Sequence, residues 1–325
     1  MIESLSLDNV ISIVKIPKST LILCHRNPDP DTLGSAFALK HILEYFGSFV
    51  SVACCDKPSS KFNFITKGSS LEYQPLAYDR IIAVDVASPA QLGELSILCD
   101  TVELTIDHHG MNTRFSPYYE ELCASCAEII FELYKKLDIC LPTHFFECIY
   151  AGITGDTGGF RYSNVTKRTM EYGAEAMEHG IDHAEINRII FESKTFGEIV
   201  AHKLTYEKMK LYCDGGLAII LFTNEMKEEN GLSEEDLGDI VNCIRSIEGV
   251  LVAVSIKQSS KDGGKFFISS RANCEIDVSA VCAQMGGGGH IRASGATITA
   301  DSCEEALELC SKLFGKAVLE YQNKA

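Results

Sequence analysis

Short apolar runs alternate with stretches of helical spacing through the first half of the chain. Thr20–His25, Phe49–Cys54, Arg80–Asp85 and Val102–Asp107 are rich in Ile, Val and Leu and end on polar residues, which predicts buried strands. Between the first two, Leu33, Phe37, Ala38, Leu39, Ile42, Leu43 and Phe46 recur at helical spacing and predict a helix over Thr32–Phe46. Strand–helix alternation of this kind predicts an α/β fold on a parallel sheet covered on both faces. A helix-like run, Phe145–Ile153, leads into a loop over Gly155–Phe160, and a helical region follows from Thr166 to Tyr212. Within it Thr195–Leu211 reads as one helix crossing to a second domain.

The pattern then changes. Gly216–Thr223, Val250–Lys257, Lys265–Ala272 and Ala293–Thr299 read as strands, and Ser233–Ile247, Asp277–Met285 and Ser302–Leu319 as helices. At 325 residues the chain exceeds the usual size of a single core. The expected organisation is a domain over 1–194, a linker helix over 195–212 and a smaller α/β domain with a mixed sheet over 213–325. No apolar stretch approaches the roughly 20 residues that span a bilayer, and no positive region precedes an apolar core at the start. Fourteen cysteines without a disulfide-like rhythm then read as reduced thiols of a cytoplasmic protein. One CxxC, Cys123–Cys126, lacks a second pair and reads as packing at a helix start. The net charge of −16 argues against gripping a long phosphate backbone, but leaves room for a small phosphorylated substrate beside bound cations.

In a parallel sheet, ligands bind outside the carboxyl ends of the strands, so the polar residues at those ends matter most. His25 closes the first strand and leads into Asp29 and Asp31; Asp85 closes the third; Asp107, His108 and His109 close the fourth. Asp156 lies in the loop after Phe145–Ile153. An Asp-Pro-Asp turn alone is more often a simple turn, with Asp31 a candidate helix cap. Three such clusters at one sheet edge instead describe a site for two divalent metals with imidazole and carboxylate ligands. Two metals about 4 Å apart clamp the attacking and leaving oxygens of an in-line displacement at phosphorus. In the second domain, Gly286, Gly287, Gly288 and Gly289 followed by His290 could expose backbone N–H groups to an anion. Arg271 is the cationic partner expected there.

Taken together, these residues resemble the DHH phosphoesterases that carry a DHH-associated C-terminal domain. The motifs fall in order as His25–Asp31 with Gly34 and Ser35, Asp85, Asp107–His109 with Asn112, Gly155–Gly158, and Gly286–His290 followed by Ala293 and Gly295. Departures are small: Ala293-Ser294-Gly295 replaces Ala-Ala-Gly, and Cys126 stands where a small hydroxyl residue is expected. Within the family the chain looks most like the nanoRNases that also act on 3′-phosphoadenosine 5′-phosphate. The resemblance implies that His25, Asp29 and Asp85 hold one metal, and that Asp31, Asp85, His108 and Asp156 hold the second. Mn²⁺ is the expected ion. Asp107 would orient the histidines, His109 would face the scissile phosphate, and Arg271 with Gly286–His290 would bind the substrate's far end across an interdomain cleft. The implied reaction is hydrolysis of very short oligoribonucleotides or linear dinucleotides to mononucleotides, together with 3′-phosphatase action on 3′-phosphoadenosine 5′-phosphate. Alternatives are a cyclic-dinucleotide phosphodiesterase, a RecJ-type single-strand DNA exonuclease, a manganese pyrophosphatase and a non-catalytic nucleotide sensor. Asp182–Leu211 could serve a homodimer as well as a linker.

Overall fold

A computed structural model describes residues 3–109, 115–238 and 240–324. The chain divides into two compact units, Met1–Ser193 and Lys194–Ala325. The first contains α1 (Leu7–Val14), β1 (Ser19–Leu23), α2 (Pro30–Tyr45), β2 (Phe49–Ala53), α3 (Asn63–Thr66), β3 (Arg80–Val84), β4 (Leu104–Asp107), β5 (Tyr118–Glu120), α4 (Cys126–Leu137), α5 (Thr143–Thr157), α6 (Lys167–Glu178) and α7 (His183–Asn187). Its five strands pair in the order β2-β1-β3-β4-β5, all parallel. Ile22, Val84 and Ile106 meet α2, α4 and α5 on one face. Leu21, Leu23 and Ala83 meet Leu92 and Leu95 on the other. Burial on both faces explains why these strands read as unbroken apolar runs.

The strand order reverses at β1 and β3, so a crevice opens at their carboxyl ends, where ligands bind in such sheets. Helix α2 starts at that edge. Asp29 is its N-cap, accepting from the N–H groups of Asp31 and Thr32 at 2.9 and 3.0 Å. The cap is therefore Asp29 rather than Asp31, because Pro30 occupies the first helical position, where its missing N–H costs nothing.

Helices α2 and α5 cross at two glycines. A Cβ on Gly34 would lie 2.4 Å from the Cys148 carbonyl oxygen, and one on Gly152 would lie 2.5 Å from Ala127 Cβ and 2.8 Å from Asp31 Oδ1. Gly152→Ala is thus expected to cost about 1–3 kcal/mol, the range for overpacking a tight core, and to displace the Asp31 carboxylate. Urea unfolding in chelator checks the first effect, and a Mn²⁺ titration of the folded variant checks the second. Wild-type values in both would mean that the two helices separate without cost.

Two sequence expectations change here. Asp156 does not lie in a loop; α5 runs on through Asp156 to Thr157 and stops at Gly158, which has a φ of +58°. The helix expected over Thr195–Leu211 is α8 (Phe196–Lys208), and 210–212 form β6 (Lys210–Tyr212), paired antiparallel with β7 (Leu217–Phe222). Met209 turns extended (ψ 149°) and ends the helix.

The second unit continues with α9 (Asn224–Asn230), α10 (Ile240–Arg245), β8 (Val252–Gln258), β9 (Lys265–Ala272), α11 (Val278–Ala283), β10 (Gly288–His290), β11 (Ala293–Thr299) and α12 (Cys303–Gln322). Ser233–Ile247 is not one helix. Asp236 folds back to accept the Ser233 N–H at 2.9 Å, leaving a short turn over Glu235–Leu237 before α10. The mixed sheet runs β10-β11-β9-β8-β7-β6, with β7 and β8 its parallel pair. One face packs on α11 and α12. The other packs on α8 and α10 around Ala218, Ile220, Phe222 and Ala253.

Candidate metal centre

Parallel pairing sets the ends of β1, β3 and β4 side by side, and the first residues beyond them supply the cluster. Asp85 is the hub. It follows β3 directly, is 2 % exposed, and has a φ of +57°, a left-handed conformation that Asp and Asn adopt more readily than other residues with a side chain. Its N–H donates to the Ile106 carbonyl at 2.8 Å, which holds the turn against β4. The turn aims the carboxylate between three rings. Oδ2 lies 3.3 Å from His25 Nε2, and Oδ1 lies 3.4 Å from His108 Nε2 and 3.7 Å from His109 Nδ1. Oδ1 is buried and has no hydrogen-bond partner, an expensive condition for a carboxylate oxygen unless a cation satisfies it.

Around this hub the ligand atoms fall into three sets, each within 4.8 Å: His25, Asp29 and Asp85; Asp31, His108 and Asp156; and Asp85, His108 and His109. The geometry therefore brings all six predicted metal ligands together and adds His109 to their neighbourhood. His108 Nε2 lies 3.3 Å from Asp156 Oδ2 and 3.8 Å from Asp31 Oδ2. Residues fitted to two cations would share a carboxylate between two ligand sets, and Asp85 is so placed. Nitrogen and oxygen donors without a thiolate suit a divalent cation other than a structural zinc.

Each ring is oriented from behind, as metal-binding imidazoles are. His25 Nδ1 bonds the Arg26 carbonyl at 2.8 Å, His108 Nδ1 the Cys123 carbonyl at 3.2 Å, and His109 Nδ1 the Asp107 Oδ1 at 2.7 Å. In the first two rings this turns Nε2 toward the carboxylates. Asp31 is fully buried and accepts the Cys126 and Ala127 N–H groups at 2.6 and 2.9 Å, so it caps α4 across space. Asn164 donates to the carbonyls of both Ala124 and Asp156 at 3.1 Å, tying the segment behind His108 to the end of α5. Sequence reasoning missed Asn164, Cys123 and Arg26 in these supporting roles. All four of these contacts end on backbone carbonyls, which leave no residue-type signature. Asn112 lies outside the described residues.

The electrostatics are those of a cation site. Burial opposes protonation of His25, yet Asp29 and Asp85 raise its pKa well above the ordinary imidazole value. His108 is likewise raised, burial being outweighed by Asp156 and Asp85. Burial, then the charges of Asp85 and Asp156, raise the Asp31 carboxyl well above its usual range. Burial also raises Asp156. Asp85 is lowered: burial raises it, but the neighbouring His108 and His25 rings outweigh that. Carboxylates this crowded pull positive charge inward, from protons or from metal.

The predicted residues of the second unit form a strand row. Arg271 on β9 pairs with Ala293 on β11, and Ala293 pairs with His290 on β10. Paired residues share a face, so Arg271 and His290 flank one small side chain. Gly286–Gly289 leads into this hairpin, with Gly286 at φ +74° and Gly289 at φ +146°.

Residues 19–153 match the DHH family, N-terminal domain, and residues 216–316 the DHHA1 domain. The chain is 28% identical over 294 residues to the bifunctional oligoribonuclease and PAP phosphatase NrnA of Thermus thermophilus, covering 88% of this chain and 86% of that one. It is 23% identical to the protein of the same description in Bacillus subtilis, covering 89% and 92%. An exopolyphosphatase-related protein of Bacteroides fragilis shares the fold, with a TM-score of 0.86 at 24% identity over 98% of this chain and 96% of its own. With both domains present in this order, the chain belongs to the DHH family of metal-dependent phosphoesterases.

Proposed function

We propose that the protein hydrolyses very short oligoribonucleotides and linear dinucleotides to mononucleotides, and removes the 3′-phosphate of 3′-phosphoadenosine 5′-phosphate. The observation that carries this reading is the buried Asp85 carboxylate, which belongs to the His25–Asp29 set and lies 3.4 Å from His108 of the Asp31–Asp156 set, at the switch point of the sheet. The descriptions of the Thermus and Bacillus relatives supply the substrate class. His25, Asp29 and Asp85 would hold one divalent cation; Asp31, Asp85, His108 and Asp156 would hold the other, with Mn²⁺ the ion that this donor set favours. When bound, such a pair polarises the phosphoryl group and lowers the pKa of water.

The remaining roles belong to the protein. Asp107 holds the Nδ1 proton of His109, so Nε2 is the atom that meets substrate and passes a proton to the leaving oxygen. Arg271 and His290 bind a terminal phosphate, with Gly288 and Gly289 beside them; the Gly286 and Gly287 N–H groups already donate to the Ala283 and Cys282 carbonyls. The net charge of −16 disfavours long polymers. Among the described residues, no helix is long and apolar enough to cross a membrane.

The test is hydrolysis in Mn²⁺ of RNAs from two to twenty-four nucleotides, 3′-phosphoadenosine 5′-phosphate, linear and cyclic di-adenylate, and pyrophosphate. Fast cleavage confined to the shortest RNAs is expected. Exclusive turnover of pyrophosphate or of the cyclic dinucleotide would overturn the substrate assignment, and metal binding without any turnover would favour a nucleotide sensor.

A further inference from the structure

Strand register places an aromatic ring on the same sheet face as Arg271 and His290, although the sequence separates them. Two residues along β9 from Arg271 is Ser269, paired with Gly295, which pairs in turn with Gly288. Two further on is Phe267, paired with Thr297 on β11 and Lys257 on β8. The rows on this face thus run from Arg271–Ala293–His290, through Ser269–Gly295–Gly288, to Phe267–Thr297. The alternate residues Phe266, Ile268 and Ala272 enter the opposite core.

The middle row is nearly bare of side chains. A Cβ on Gly288 would meet nothing within 4 Å, so there is open space above it. Phe267 is 42% exposed, and Thr297 beside it is exposed as well. Rows two residues apart are roughly 7 Å apart, so the outer rows lie about 13 Å apart at Cα. Arginine and phenylalanine side chains narrow that gap toward the length of one nucleotide.

We infer that this face is a mononucleotide subsite, in which Phe267 stacks the base of the terminal nucleotide whose phosphate meets Arg271 and His290. The inference rests on the proposed oligoribonuclease reading for its occupant. Charge selects the phosphate end, and the exposed ring selects the base end. The low glycine row lets the ribose approach the backbone, with the Ser269 hydroxyl at its side. A stacked base makes Phe267 a specificity-determining residue for nucleotides over other phosphates, with little preference among bases, because every base has a π-face.

The protein contains no tryptophan, so Phe267→Trp places a single reporter in the subsite. Titration with adenosine 5′-monophosphate is expected to quench its fluorescence, whereas ribose 5-phosphate should bind more weakly and leave the emission unchanged. In parallel, Phe267→Ala should raise KM for a 5′-phosphorylated di-adenylate by about 10- to 100-fold with kcat held, as loss of one stacked base does. KM for an analogue with an abasic 5′ residue should not move. Absence of quenching by adenosine 5′-monophosphate, or an unchanged KM in Phe267→Ala, overturns the subsite. Quenching without any hydrolysis of di-adenylate would sustain the subsite and defeat the oligoribonuclease reading instead.

Discussion

Asp85→Asn is expected to reduce turnover of a dinucleotide by on the order of 10³-fold or more, with the fold retained. Partners that merely orient metal ligands cost roughly 10- to 100-fold when lost, and Asp85 belongs directly to two ligand sets. Asparagine is the informative replacement because Asp85 has a φ of +57°. Asparagine enters the left-handed region readily, whereas alanine there would add backbone strain and confuse the result. The amide keeps the volume and the turn but cannot supply a carboxylate to two cations. Circular dichroism should match the wild type, and the Mn²⁺-induced rise in Tm should shrink or vanish. Turnover within tenfold of wild type would sink the bridging role.

Chelation should abolish turnover and also lower stability, the second large effect. In the absence of cations the cluster keeps five carboxylates, Asp29, Asp31, Asp85, Asp107 and Asp156, close to three imidazoles. Burial and mutual repulsion raise two of the carboxyl groups, so this arrangement is held at a cost. A cation that binds only the folded chain stabilises it by about 2.7 kcal/mol at one hundred times its Kd, and two independent sites would add. Calorimetry in excess chelator, followed by stepwise Mn²⁺, should show Tm rising with concentration and activity returning along the same titration. Activity that survives exhaustive chelation would remove the two-metal assignment. A Tm that ignores Mn²⁺ would mean that the cluster binds no cation.

Much of the metal centre was legible in the chain because a parallel sheet converts strand ends into neighbours. His25, Asp85 and the Asp107–His109 run need only the position of each apolar run, because the residues just beyond the carboxyl ends of parallel strands gather at one edge of the sheet. Asp156 is legible as a candidate ligand, but the sequence pattern puts it in a loop. The glycines around it suggest punctuation, yet α5 continues because Gly152 and Gly155 allow close packing against Ala127 and Pro30. The start of α4 is legible at Cys123–Cys126, but its extent is not drawn from the pattern, although Ala127, Ile130, Leu133 and Leu137 recur at helical spacing and are buried. Strand β5 has three residues, too few to show a period.

Other features had no linear signal at all. Asp31 caps α4 ninety-five residues away through Cys126, and Asn164 joins two carbonyls from separate segments. Phe267 shares a face with His290 only through the register of β9, β11 and β10.

Residue pattern alone was enough to show which residue types could hold cations, that most of them follow strands of one parallel sheet, and that a second α/β unit comes after. Local patterning suffices for this, because burial and strand period are written residue by residue. It took the folded chain to show that Asp85 turns left-handed into the middle of the cluster, that each imidazole is held from behind, and that an aromatic ring shares the sheet face of Arg271 and His290. Those facts depend on which strands pair and in what register, and pairing is settled by the whole core rather than by any one segment.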